Sequence, residues 1–146
     1  MIEVGTRLQE IYDAFFIKIP SHDFSSEQSK VYQFFKAAVG RARKTVSDNL
    51  TYTLDEDQDE ESPSYDGTFK DTLDQNTIEL ISLWMVHEYF RTIVSKFEGI
   101  KSYVGTKDFN KLPDVKNGQY EIAKSLLDSV SEEIKEFCQS FYSYRN

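Results

Sequence analysis

One segment of the chain is apolar around most of its circumference, and it constrains the fold more than any other feature. It runs from about Gln75 to Phe97, and Asp74 before it is a residue type that caps helix N-termini. Its apolar residues are Ile78, Leu80, Ile81, Leu83, Trp84, Met85, Val86, Tyr89, Phe90, Ile93 and Val94. A helix that is apolar on nearly every side is buried on several sides, so we predict that this segment is the central helix of the fold.

Two amphipathic helices are predicted upstream of this segment. The first runs from about Glu3 to Ile17, with apolar residues three and four positions apart, and it ends before Pro20. The second runs from about Ser26 to Val46 and has Ser25 as its predicted cap.

The last predicted helix runs from about Gln119 to Tyr142 and carries a heptad seam. The seam consists of Tyr120, Ala123, Leu127, Val130, Ile134, Phe137 and Phe141. We expect it to pack within the chain, because a short chain buries its own core first; packing against another subunit is the alternative. Before this helix, the stretch from Glu98 to Gly118 is predicted as a connector that packs back through Tyr103, Val104 and Phe109.

The sequence changes character between the second and third helices. The stretch from Asn49 to Thr53 is rich in β-branched and aromatic residues, and a second short strand is expected around Ser64 to Phe69. The prediction is a mostly α fold in one domain, residues 1–146: a small bundle of about four helices. A short β-hairpin or an acidic loop, residues 54–67, is inserted between helices 2 and 3.

Most of the net charge lies in that loop. The chain carries −8 at pH 7, and six acidic residues within seven positions contribute −6, which leaves −2 for the rest. These six are Asp55, Glu56, Asp57, Asp59, Glu60 and Glu61. A broad basic face for duplex nucleic acid is therefore not expected.

A local basic cluster lies near the end of the second predicted helix, at Lys36, Arg41, Arg43 and Lys44. Cations at a helix C-terminus complement the helix dipole, which accounts for the cluster without a ligand. Contact with DNA phosphate or with an acidic partner surface is the alternative.

The residues that usually bind metals or carry catalysis are sparse. Cys138 is the only cysteine, and His22 and His87 are the only histidines, too few for a zinc site. The alternating acidic residues of the loop resemble a calcium-binding loop, but Glu60 stands where the turn needs glycine. We therefore predict no cofactor and no catalytic activity; an enzyme that uses His87 with nearby carboxylates is the alternative.

The apolar stretches are much shorter than a membrane span, and Glu3 stands where a secretory leader carries basic residues. The expected location is therefore the cytoplasm.

Four segments form an ordered set of motifs along the chain. They read Ile-Tyr-Asp-Ala-Phe-Phe-Ile-Lys-Ile at 11–19 with His-Asp-Phe at 22–24, Phe-Lys-Asp-Thr-Leu-Asp-Gln-Asn-Thr-Ile-Glu-Leu-Ile-Ser-Leu-Trp-Met-Val-His-Glu-Tyr-Phe at 69–90, Gly-Thr-Lys-Asp-Phe-Asn-Lys at 105–111, and Tyr-Ser-Tyr-Arg-Asn at 142–146. The set resembles the head–tail connector, or neck adaptor, proteins of tailed bacteriophages. The chain departs from that pattern at 112–115 and in the added acidic stretch 58–64.

The resemblance implies a structural virion protein: a subunit of a homo-oligomeric ring, a dodecamer below the portal, that extends the DNA channel and joins the capsid to the tail. The implied partners are the portal protein and the stopper or tail proteins. DNA passes through without sequence-specific binding, and no membrane is involved. The implied location is the neck of the virion, after assembly in the bacterial cytoplasm.

Two groups of site residues follow from this role. A C-terminal docking tail, residues 137–146, is expected to bind the portal through Phe137, Phe141, Tyr142, Tyr144, Arg145 and Asn146, since Tyr and Arg dominate interface energetics. A frayed end past the last helix is the alternative. The six acidic residues are expected either to face the channel lumen, where they would repel DNA, or to reach outward to the next neck protein. The alternative is that they form a solvated linker with no binding role.

A function of another class also fits the sequence. A small cytoplasmic helical regulator that binds one protein partner, of the immunity or antitoxin type, would share the same composition and helix pattern.

Overall fold

Helices make up most of the described part of the chain. The structure, a computed structural model, describes residues 6–20, 22–45, 52–54, 67–69 and 73–145; for 52–54, 67–69 and 140–145 it describes the backbone alone. The elements are β1 (Thr6–Arg7), α1 (Leu8–Lys18), α2 (Gln28–Ala42), β2 (Tyr52–Leu54), β3 (Gly67–Phe69), α3 (Gln75–Val104), α4 (Thr106–Phe109), α5 (Pro113–Lys116) and α6 (Gln119–Arg145). The mostly α prediction is confirmed, because α1, α2, α3 and α6 form a small bundle.

The helix predicted to be central is α3. It begins at Gln75 as predicted, and the Asp74 carboxylate caps it by accepting a hydrogen bond of 2.7 Å from the Thr77 amide. The helices α1, α2 and α6 all pack against α3. Its first half supplies the middle of the core, and Leu80, Ile81 and Met85 are fully buried there.

The C-terminal half of α3 differs from the prediction, since the helix continues through Gly99 to Val104 instead of ending near Phe97. A glycine inside a helix costs about 1 kcal/mol, and tertiary packing outweighs that cost here. The Phe97 ring packs on Phe109 and Tyr120, which anchors the added turns. The helix ends at Gly105, whose φ of 86° is accessible to glycine at little cost.

The connector predicted after α3 is shorter than expected and contains the two single-turn helices α4 and α5. Phe109 packs back as predicted and is 1% exposed. Tyr103 does not, because it is 92% exposed on the outer side of α3. The departure from the connector motif at 112–115 coincides with the start of α5, where Pro113 occupies the first turn.

The ends of α1 and α2 also require correction. The first helix does not begin at Glu3, since Thr6 and Arg7 form a strand before it, and it ends at Lys18, two residues before Pro20. The second helix spans Gln28–Ala42, and its N-cap is Glu27, not Ser25. Ser25 instead donates its backbone N–H to the Asp23 carboxylate at 2.9 Å, a side-chain turn that precedes the helix.

A small antiparallel sheet lies at the end of the bundle where α3 begins, with strand order β1-β3-β2. The strands β2 and β3 pair with Tyr52 opposite Phe69 and Leu54 opposite Gly67, so the insertion is a hairpin. The unpredicted strand β1 pairs with β3, and the Thr6 hydroxyl accepts a hydrogen bond of 2.7 Å from the Leu73 amide. This contact ties the sheet to the start of α3.

The predicted seam of α6 faces the bundle. Tyr120, Ala123, Val130 and Ile134 are buried, and Leu127 and Phe137 are half-buried against the core, so the expectation that the seam packs within the chain is confirmed for these six residues. The side chain of Phe141 lies outside the described residues. No helix among the described residues combines the length and apolarity needed to span a membrane.

Candidate interaction surfaces

An open groove of about 440 Å³ lies where the end of α1 meets α3 and α6. Its apolar wall includes Leu83 and Val86 of α3 and Val130 of α6, and Lys18 and Glu133 lie at its border. The end of α1 and the two residues after it, Ile19 and Pro20, line its other side. We call it the α1–α3–α6 groove; it offers an apolar wall with charged groups of both signs beside it.

Aliphatic side chains extend the apolar surface from the groove along α6. Leu126, which also lines the groove, is 42% exposed, and Ile122 one turn earlier is 58% exposed. We call this pair the α6 strip. Ile17, beside Lys18 on α1, is 76% exposed. Single exposed aliphatics are ordinary, whereas several next to a groove are typical of an interaction surface.

A buried carboxylate joins α2 to α3 on another face of the molecule. Glu88 of α3 has a side chain only 4% exposed, and Oε2 accepts two hydrogen bonds from Arg91, at 2.9 Å from Nη2 and 3.1 Å from Nε. Its Oε1 lies 2.9 Å from Nε of Arg41 on α2, an ion pair in which the N–H is not aligned for a hydrogen bond. The Arg41 guanidinium also lies 5.1 Å from the centre of the Trp84 ring. We call Arg41, Trp84, His87, Glu88 and Arg91 the Arg–Glu cluster.

His87 completes this cluster and packs edge-on against Trp84 at 5.2 Å between ring centres. Burial and the nearby Arg41 cation lower the pKa of His87 from its ordinary value of 6.5, and Glu88 opposes them only in part. The imidazole is therefore uncharged at neutral pH, and its Nδ1 lies 3.7 Å from the Glu88 carboxylate. The Glu88 carboxylate already binds two guanidiniums, so it is not free to orient His87 as a general base. His87 and Glu88 instead belong to one ion-pair network.

The other histidine joins the α1–α2 connection to α3. His22 Nε2 lies 2.6 Å from the Glu27 carboxylate, and its Nδ1 lies 3.4 Å from the Tyr89 hydroxyl. Burial, and to a smaller extent the Glu27 charge, raises the pKa of Tyr89, so the hydroxyl stays protonated and can donate a hydrogen bond to Nδ1. In that arrangement Nε2–H donates to Glu27. A smaller recess of about 320 Å³ lies beside it, between Phe16 and Phe24.

The structure locates the predicted site residues unevenly. The six acidic residues of the loop lie outside the described residues, as does Asn146. Phe137 packs against the core, and α6 carries the backbone through Arg145, but the side chains of Phe141, Tyr142, Tyr144 and Arg145 are not described. Cys138 is half-buried, with its Sγ 3.7 Å from the Thr45 hydroxyl. Among the described residues, no group of three His, Cys, Asp or Glu side chains could hold a metal ion.

The sequence interpretation missed Glu88. It lies within the apolar run of α3, as does Glu79, and an acidic residue in such a run signals a cationic partner. The basic cluster at the end of α2 contained that partner, Arg41, but nothing in the spacing showed that the two residues meet.

No protein-family model matches this chain, and searches of curated proteins and of solved structures find no match either.

Proposed function

We propose that this chain is a neck adaptor of a tailed bacteriophage: a subunit of a ring below the portal that extends the DNA channel and joins the capsid to the tail. The observation that carries the proposal is the uncovered apolar surface made of the α1–α3–α6 groove and the α6 strip. In a ring, each copy presents two different patches, and a neighbour covers such a surface. The ordered motifs indicate this particular class of ring.

Contacts between the first two motif segments, and the packing of the third on the same bundle, support the use of these motifs as one set. The His22 and Phe24 rings of the first motif lie 5.5 Å from the Tyr89 ring of the second. Phe109 of the third motif packs edge-on against Tyr120 at 5.2 Å, which places this motif on the α3–α6 end of the same bundle. Motifs far apart in sequence therefore belong to the packing of one fold.

The proposal assigns portal docking to the C-terminal residues. Phe137 and Cys138 pack against the core, and the backbone of α6 continues beyond them to Arg145. Deletion of residues 143–146 is expected to abolish co-sedimentation with the portal and to leave the thermal unfolding midpoint unchanged, because the described core contacts of α6 end at Phe137 and Cys138. Unchanged co-sedimentation would refute the docking role.

Native mass spectrometry, with and without the portal protein, tests the ring. The proposal predicts a closed ring on the portal, and Leu126→Asp should prevent it, because a carboxylate in the strip would be buried without a partner. Lys135→Ala is the matched control: it changes the net charge equally at an exposed position nine residues on, on the opposite side of α6. A single one-to-one complex with a cellular protein, and no portal binding, would favour the helical regulator instead.

A further inference from the structure

The Arg–Glu cluster carries more positive charge than it needs for its own carboxylate. Two guanidiniums share Glu88, and their side chains are 41% exposed in Arg41 and 54% exposed in Arg91, whereas Glu88 is 4% exposed. Each guanidinium has five N–H donors, of which few are used on Glu88. The outward side of the cluster is therefore cationic, with guanidinium N–H donors that the described residues do not use.

The same cluster has the composition of an interface anchor. The Trp84 ring lies under the Arg41 guanidinium, and Trp84 Nε1 and His87 Nδ1 are buried with no hydrogen-bond partner among the residues that the structure describes. Trp and Arg are the residues most enriched where binding energy concentrates. Lys44, three residues after Arg41, is exposed and adds a further cation at the end of α2.

We propose that the Arg–Glu cluster binds the acidic segment Asp55–Glu61 of a neighbouring copy of this chain, an inference that rests on the proposed ring. The reason is charge complementarity: the segment contributes −6 within seven residues, and the remaining chain carries only −2. In the sequence the segment lies between β2 and β3, which pair with Leu54 opposite Gly67. A ring interface joins two different patches, one from each copy, and these two have opposite charge.

Duplex DNA is a weaker candidate for the same cluster. A DNA-binding face needs several phosphate contacts from a basic surface, and here two arginines surround a carboxylate on a chain of net negative charge. Lateral docking also gives the acidic segment a role other than lining the channel.

The single tryptophan, Trp84, is a built-in reporter of this site. The receptor is a full-length variant in which the six acidic residues of 55–61 are replaced by Asn or Gln, so that its own segment cannot compete. Titration with the peptide Asp-Glu-Asp-Gln-Asp-Glu-Glu should change the Trp84 emission saturably and less at high salt, whereas the all-amide peptide should not. No change, an equal change with both peptides, or a stronger response to a DNA duplex would overturn the inference.

A charge variant in the same receptor tests which cations bind the peptide. Arg91→Gln should weaken peptide binding about two- to five-fold, the range for one partly exposed charge. Lys116→Gln on α5 loses the same charge at an exposed position outside the cluster and should have no effect. Equal weakening by both variants would mean a non-specific charge effect and would refute the site.

A mixing experiment distinguishes a neighbouring copy from the chain's own segment. The receptor variant is mixed with a second variant, Arg41→Gln/Glu88→Gln/Arg91→Gln, which keeps the acidic segment and neutralises the cluster without leaving a buried carboxylate unpaired. Circular dichroism checks that this second variant is folded. Each variant alone should be monomeric by native mass spectrometry, and the mixture should form a one-to-one pair. If the peptide binds but the variants do not pair, the segment binds within its own chain and the inference fails. Because no portal is present, these outcomes are independent of whether the portal ring exists.

Discussion

Removal of the Phe109 ring is the sharpest test of how the far end of the bundle is held together. Phe109 is 1% exposed and packs edge-on against Phe97 and Tyr120, with ring centres 6.4 and 5.2 Å away. The Lys101 ammonium lies 5.7 Å from the same ring. Through these contacts α4 packs against the last turns of α3 and the first turn of α6.

The expected cost of Phe109→Ala follows from this geometry. Truncation of a buried Phe to Ala costs about 3–5 kcal/mol, the transfer free energy of the ring plus the cavity that it leaves. Phe97 is itself half-exposed and the cluster lies at the edge of the bundle, so the site can partly collapse and the lower end applies. We expect a loss of about 3 kcal/mol in the free energy of unfolding and a fall of about 10 °C in Tm.

Urea unfolding followed by far-UV circular dichroism measures this loss, and Tyr103→Ala is the matched control. Tyr103 is an aromatic residue in the same part of α3, but it is 92% exposed, so its truncation should change the free energy of unfolding by less than about 0.5 kcal/mol. A loss below about 1 kcal/mol for Phe109→Ala, or an equal loss for both variants, would refute the reasoning. A decrease in helicity without a lower midpoint would refute it too, because the aromatic cluster would then lie outside the cooperative unit.

Three further predictions concern single side chains of α3. Asp74→Ala removes the cap and should cost about 1 kcal/mol in urea unfolding, while Asp74→Asn, which keeps an acceptor, should cost much less; equal costs would contradict a capping role. Glu88→Gln should lower the free energy of unfolding by about 1–2 kcal/mol, because the charge-assisted hydrogen bonds from Arg91 and the ion pair with Arg41 are weakened, while both cations stay partly hydrated. A more stable variant would mean that the ion pairs do not offset the desolvation of the carboxylate. The pKa of His87 is lowered in the folded state, so the unfolded chain binds a proton at His87 at higher pH than the folded chain does. The free energy of unfolding therefore decreases as the pH falls below about 6.5, the ordinary pKa of histidine. Between about pH 7.5 and about pH 5.5, wild type should therefore lose more stability than His87→Gln, and parallel pH profiles would contradict this.

The features that local sequence determined are those that depend on neighbours within one or two turns. The apolar run of α3, its Asp74 cap and the heptad seam of α6 were predictable because helical spacing alone decides which residues share a face. The hairpin was foreseen as one of two alternatives, from β-branched and aromatic residues on either side of a polar stretch. The mostly α class followed from these elements together.

Tertiary structure decided what depends on residues far apart in the chain. Thr6 and Arg7 form a strand because β3 is beside them, and α3 continues through Gly99 because Phe97 packs on Phe109 and Tyr120. The pairing of Glu88 with Arg41 needs α2 and α3 to meet, and the groove at the end of α1 needs α1, α3 and α6 to meet. Periodicity tells which side of a helix is buried, but which partner covers it, and which part stays open, is set by packing between elements that the local sequence does not encode.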